Sequence, residues 1–148
     1  MALAALDSLS KGVVDWDDIM NNFGKWLHDG EYTPTGECFD AGITCVRAII
    51  NYFNNKLPPC ECGESSEYSN GNGSLMRIHP FVLYASLTMQ NGNGEDHSCW
   101  LEFLRNASTL THAHDRSIMG CYIYGYILTF LLKEQSREGL SAGLDFAE

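Results

Sequence analysis

The chain has 148 residues, about one domain's worth, and is 45% apolar and 19% charged, a globular make-up rather than a disordered or collagenous one. A chain of this length hides about 68% of its unfolded surface on folding, so it needs no disulfide or metal staple. Lys and Arg number 9 against 19 Asp and Glu, a net charge of −10 with no basic cluster, which removes the phosphate-backbone footprint expected of a nucleic-acid binder.

The opening MALAALDSLSKG lacks the basic region of a secretory signal. It is helical in composition and begins without a cap, as though a longer helix were interrupted. Trp16, Ile19, Met20, Phe23, Trp26 and Leu27 then recur at the spacing of one amphipathic stripe, with Asp15 or Asp17 to cap the start and Gly30 just past the end. Phe39, Ile43, Val46, Ile50 and Phe53 predict the buried stripe of a second helix, stopped near Asn54-Asn55 and Pro58-Pro59. Segments 78–89 and 98–107 read as shorter helices, and 114–135 as a long one, apolar nearly all round and therefore central in a bundle. Its run Ile118 to Leu132 is shorter than the roughly 18 to 20 residues that span a bilayer, so a core helix fits better than a membrane segment. The tail REGLSAGLDFAE has no strong apolar stripe and no stop signal. Strand-like alternation is scarce. The expectation is an all-α fold, one helical domain over 1–148, in the cytoplasm with its six cysteines reduced.

Two loops interrupt the helices, 57–75 (LPPCECGESSEYSNGNGSL) and 90–97 (QNGNGEDH). The first leads into Ser69-Asn-Gly-Asn-Gly-Ser-Leu-Met-Arg-Ile-His-Pro80. Gly71 and Gly73 permit positive φ or close backbone approach, and a helix follows at once. Free amides at a helix start suit a phosphate or pyrophosphate, and Asn72 and Ser74 add short polar side chains for a ribose or phosphate oxygen. The same residues also suit a plain loop with a helix cap, and from the residues alone both readings stand. Ser108-Thr-Leu-Thr-His-Ala-His-Asp-Arg116 opens the long helix, with Thr111 as an N-cap. His112 and His114 sit two apart, which on a helix aims them at different faces, so a paired metal site is disfavoured against capping or lining a cleft. Cys60-Glu-Cys62 is not the C-x-x-C of a zinc site and has no matched second pair. Asp17-Asp18 sit where a helix dipole welcomes negative charge. No G-x-S-x-G elbow occurs.

The run SNGNGSLMRIHP, followed some thirty residues later by LTHAHDRSIMGC and preceded by WLHDGEYTPTGECFDAGITCVRAI, resembles the ADP-ribosylglycohydrolases, the family of dinitrogenase-reductase-activating glycohydrolase and the ADP-ribosylhydrolases. The resemblance extends from Met1 to about Lys133. It implies an all-helical orthogonal bundle, two Mg²⁺ ions, and hydrolysis of the glycosidic bond between ADP-ribose and an acceptor. It further implies that Ser69, Gly71, Asn72, Gly73, Ser74 and Met76 grip the diphosphate and adjoining ribose, that His112 lies beside the distal ribose, and that Arg77 either touches ligand or braces the loop.

The family's metal ligands come from an Asp-Asp-Thr motif near the N-terminus and a Gly-Gly-Asp-x-Asp-Thr motif near the C-terminus, and neither is present. Asp17-Asp18 is followed by Ile, and Met1-Ala-Leu resembles the residues that directly follow the first motif. The resemblance therefore implies the middle of such a domain, truncated at both ends, with no catalytic or metal-binding residue assigned. Hydrolysis of this kind needs a metal to activate water, and Mg²⁺ wants several oxygen ligands, so the chain alone is expected to be a poor catalyst or none. Three readings follow: an ADP-ribosylglycohydrolase-like chain that keeps its substrate loop, a non-catalytic module that holds ADP-ribose or a related nucleotide, or a structural helical oligomer.

Overall fold

A computed structural model of the protein describes residues 1–88, 97–134 and 138–147. Among them the chain is all-α, with helices α1 (Ala2–Leu9), α2 (Trp16–His28), α3 (Ile43–Phe53), α4 (Gly73–Met76), α5 (His79–Thr88), α6 (His97–Thr109), α7 (Asp115–Glu134) and α8 (Glu138–Ala147). Short 3-10 turns at Pro59–Glu61 and Glu67–Ser69 punctuate the long loop. The second Asn-Gly-Asn-Gly segment, 91–94, lies outside the described residues.

Local chemistry accounts for α2. The Asp15 carboxylate accepts from the Asp18 amide at 3.0 Å, Asp17 and Asp18 occupy the positive first turn, and Lys25 and His28 occupy the last. Asp29 ends the helix, and Gly30 follows at φ +68°, where a Cβ would collide with the Gly36 carbonyl. Ile19, Met20 and Phe23 are fully buried, and Trp16 stacks on Phe81 at 6.2 Å and tilts against Phe103 at 5.5 Å. That stripe is the one the sequence spacing picks out.

The stripe expected in the second helix is buried only in part: Val46 and Phe53 are half-buried, with Phe53 packed against the core. Phe39 precedes α3 and is 85% exposed, Ile43 is 71% exposed, and Ile50 is exposed too. The buried side carries Cys45, Ala48 and Ile49. Cys45 faces Gly73, and the Phe53 ring lies over Gly24 of α2, where no Cβ fits.

The buried side chains form one cluster in which α1 (Ala4, Ala5, Leu9) and α5 (Phe81, Val82, Ala85) meet α6 (Trp100, Phe103, Leu104, Ala107). The long helix is central, packing against α4, α5, α6 and α8. It fully buries Ser117, Ile118, Cys121 and Gly125, half-buries Tyr122, Tyr124, Tyr126 and Leu128 against the core, and leaves Met119, Ile123 and Leu132 exposed. Apolar residues all round a helix bury only where a neighbour covers them. Gly125 is that point for α6: a Cβ there would meet Leu104 Cδ1 at 2.6 Å and Trp100 Cη2 at 2.9 Å. The tail forms a helix after all, with Gly143 against the Ile127 backbone and Gly139 against the Phe130 carbonyl. Backbone contact through two glycines leaves no apolar stripe for a hydropathy pattern to find. No described helix is long and apolar enough to cross a membrane.

Candidate functional site

The long loop is tied to the α6–α7 connection before it reaches its glycines. Gly63 N donates to Thr109 O at 2.9 Å and Ala113 N to Glu64 O at 3.0 Å, around an isolated parallel bridge between Glu64 and His112. Gly63 is needed for this approach, since a Cβ would strike the Thr109 carbonyl. The Glu64 carboxylate takes the Ser69 hydroxyl at 2.7 Å and Arg47 at 3.3 Å, and these donors hold it below the usual carboxylate range, the Ser69 bond foremost. Ser66 and Ser69 share a hydrogen bond at 2.9 Å. Ser69, one of the expected ligand residues, is thus buried and anchors the loop.

Gly71 and Asn72 are exposed, and Ser117 Oγ donates to Gly71 O at 3.2 Å, pinning the loop to the start of α7. At Gly73 the chain enters the single turn of α4, closed by Met76 N to Asn72 O at 2.9 Å. Neither Gly71 nor Gly73 has a positive φ; the site uses their small size. A Cβ on Gly73 would stand 2.7 Å from His112 Cε1, 3.1 Å from His112 Nε2 and 3.2 Å from Cys45 Sγ. Ser74 is buried, its hydroxyl accepting from Cys121 Sγ at 3.5 Å, whereas Met76 is 71% exposed.

Arg77 is among the largest fully buried side chains. Its Nη1 donates to Ala107 O at 2.9 Å and its Nη2 to Thr111 Oγ1 at 2.6 Å, with Ser108 O at 3.5 Å and the Phe23 ring 5.2 Å from Cζ. Arg77 forms no ion pair with a carboxylate among the described residues. The countercharge is the negative end of α6, whose last carbonyls the guanidinium caps. Arg77 thereby ties the turn of α4 to the end of α6 and to Thr111. His112 is buried beside it, with Nδ1 2.8 Å from Thr111 Oγ1. Burial first, and the Arg77 charge second, lower its pKa to about 4, so the ring is neutral. Thr111 does not cap α7. His114 does, its Nδ1 accepting from the Arg116 amide at 3.1 Å.

The structure therefore gathers Gly71, Gly73 and His112 at one place, leaves Asn72 and Met76 on the surface, and turns Ser69, Ser74 and Arg77 inward. Cys45, Glu64 and Ser117 complete the surroundings. Their only signal is tertiary, since Cys45 lies 28 positions before Gly73 and Ser117 46 positions after Gly71. A separate open cleft of about 520 Å³ between α2 and the end of α3 is lined by Asp17, Asn21, Tyr52, Phe53, Lys56 and the Leu57–Pro59 turn, and shares no residue with the loop. No three His, Cys, Asp or Glu side chains converge among the described residues. The residues present there do not fit a magnesium centre, and no step is derived through one.

The chain was compared with known proteins. Over 139 residues it is 27% identical to the ADP-ribosylarginine hydrolase Tri1 of Serratia proteamaculans (strain 568), a match covering 93% of this chain and 35% of that relative. The chain thus spans about a third of the relative's length. The family model for ADP-ribosylglycohydrolase matches residues 1–148 in full, and the chain belongs to that family.

Proposed function

We propose that the loop Ser69–Arg77, together with His112, receives the diphosphate and adjoining ribose of an ADP-ribosyl group, and that this chain binds such a group without cleaving it. The observation that carries the reading is the closure of Gly73 on His112. It packs a side-chain-free turn against a neutral imidazole and leaves the Gly71–Asn72 backbone open to solvent. Buried Ser69, Ser74 and Arg77 make this turn rigid before any ligand arrives, which lowers the ordering cost of binding. Hydrolysis of a glycosidic bond would, on this reading, need carboxylates to hold a metal that would activate water, and no three His, Cys, Asp or Glu side chains converge among the described residues. The relative's name makes an ADP-ribosylated arginine the first acceptor to test. We place the chain in the cytoplasm, where its six cysteines stay thiols.

Titration calorimetry with ADP-ribose, with and without Mg²⁺, tests the reading. Binding in both conditions, weakened by Asn72→Ala at unchanged melting temperature, is the expected result, with no ADP-ribose released from ADP-ribosylarginine. Absence of binding in both conditions overturns it. If the chain then also self-associates, the exposed Phe39, Ile43, Met76 and Met119 favour a structural helical oligomer instead.

A further inference from the structure

The hydroxyl of Thr111 lies between a cation and an imidazole, and the imidazole nitrogen is the strongest acceptor open to its proton. Arg77 has only donors, so its Nη2, 2.6 Å away, must occupy a lone pair of Thr111 Oγ1. What remains on that oxygen is one proton and one lone pair, facing His112 Nδ1 at 2.8 Å. Thr111 is itself fully buried, and the Cys45 thiol is its hydroxyl's one further neighbour. If Nδ1 carried a proton and donated it, the Thr111 proton would be left with the thiol sulfur, a weak acceptor. If Nδ1 accepts, the hydroxyl proton has the stronger acceptor, while Arg77 Nε is buried without a partner among the described residues in either arrangement. The neighbouring guanidinium also disfavours a second positive charge on the ring. The backbone of His112 is fixed as well, by Ser108 Oγ donating to His112 O at 2.9 Å and His112 N donating to Ser108 O at 2.8 Å.

We infer that Thr111 is a positioning residue which, oriented by Arg77, donates a hydrogen bond from its hydroxyl to His112 Nδ1, so that the neutral ring carries its one N–H proton on Nε2 and offers a hydrogen-bond donor to a ligand oxygen beside Gly71 and Gly73. Nε2 lies 3.6 Å from where a Cβ of Gly71 would stand and 3.1 Å from that of Gly73, and it has no hydrogen-bond partner among the described residues. An Nε2 without a proton would instead present a lone pair and repel an anionic or carbonyl-like oxygen. The chemical class selected is an oxygen acceptor: a hydroxyl, a ring ether or a phosphoryl oxygen. That the oxygen belongs to an ADP-ribosyl group rests on the proposed function; the tautomer does not.

The test is a two-bond nitrogen–proton correlation spectrum of the full chain labelled on histidine nitrogen, at neutral pH without ligand, with the His112 signals identified by their loss in His112→Gln. A protonated Nε2 and a bare Nδ1 are expected. A protonated Nδ1, or an even mixture, overturns the inference, and this measurement needs no variant at Thr111 to fold. Thr111→Val should release the preference and weaken ADP-ribose binding about tenfold, and Thr111→Ser should restore both. A Thr111→Val chain that folds and still shows only the Nε2-protonated form removes Thr111 from the role. If the tautomer is as stated but added ADP-ribose leaves the His112 Nε2 resonance unmoved, the donor does not serve that ligand. The ADP-ribosyl reading then fails while the relay stands.

Discussion

His112 occupies the space that a side chain at position 73 would need: a Cβ on Gly73 would stand 2.7 Å from the ring's Cε1 and 3.2 Å from Cys45 Sγ. Both neighbours are buried, and the ring is held at Nδ1, so neither can swing aside freely. Gly73→Ala should therefore cost about 1–3 kcal/mol of stability, the usual price of overpacking a tight contact. Gly71→Ala meets only His112 Nε2, at the ordinary contact distance of 3.6 Å, and should change stability by less than about 0.5 kcal/mol. Urea denaturation of the two variants separates them. Equal costs would show that the loop's glycines serve flexibility rather than fit.

The same contact shows what could be read in advance. Local signals were legible: the Asp15 cap, the stripe of α2, the C-terminal Gly30, and a glycine loop feeding a helical turn. The partners of that loop were not, because His112 and Cys45 reach Gly73 only once α3 and the α6–α7 connection have folded against it. The face of α3 misled for a related reason. Periodicity reports that apolar residues share a side, but the side that packs carries Cys45, Ala48 and Ile49, and Cys45 faces Gly73, a partner distant in sequence. Glycine contacts at Gly139 and Gly143 concealed α8 in the same way.

Arg77 joins α4 to the end of α6 and to Thr111. Arg77→Met keeps bulk but leaves Ala107 O and Thr111 Oγ1 without their donor, and should destabilise the chain by at least about 2 kcal/mol. Arg77→Lys retains the charge but not the planar fork, so it should recover only part of that loss. Thermal melts of both variants check this. A fully stable Arg77→Lys would mean that charge alone, and not the forked geometry, braces the site.

Asp15 offers a control far from the loop. Its carboxylate caps α2 through the Asp18 amide, and Asp15→Ala should lower stability by about 1 kcal/mol. Affinity for ADP-ribose should stay as it was. Loss of binding in this variant, at temperatures where it remains folded, would show that affinity follows overall stability rather than the geometry around Gly73.

The pH dependence of stability follows from His112. Its folded pKa is lowered to about 4, from 6.5, by burial and by Arg77. At pH above 6.5 the ring is neutral in both folded and unfolded chains, and its contribution to stability is fully present. As pH falls below that value the unfolded chain takes up a proton that the folded chain refuses, so stability declines progressively toward pH 4. Asp18 and Glu64 act lower. Lys11 and Ser8 hold the first carboxylate below 3.8, and Ser69 and Arg47 hold the second below 4.5, so their contributions are lost only as pH falls through those values. The Met1 amino group, held below its ordinary 8.0 by burial and by Arg77, acts in the same sense from higher pH, so between about pH 6.5 and about pH 5 it is the comparison with His112→Gln that singles out the ring. Melting temperatures across it should fall with acidity in the unaltered chain and fall less steeply in His112→Gln. Parallel slopes would mean that the ring at position 112 takes up its proton in the folded state as readily as in the unfolded one.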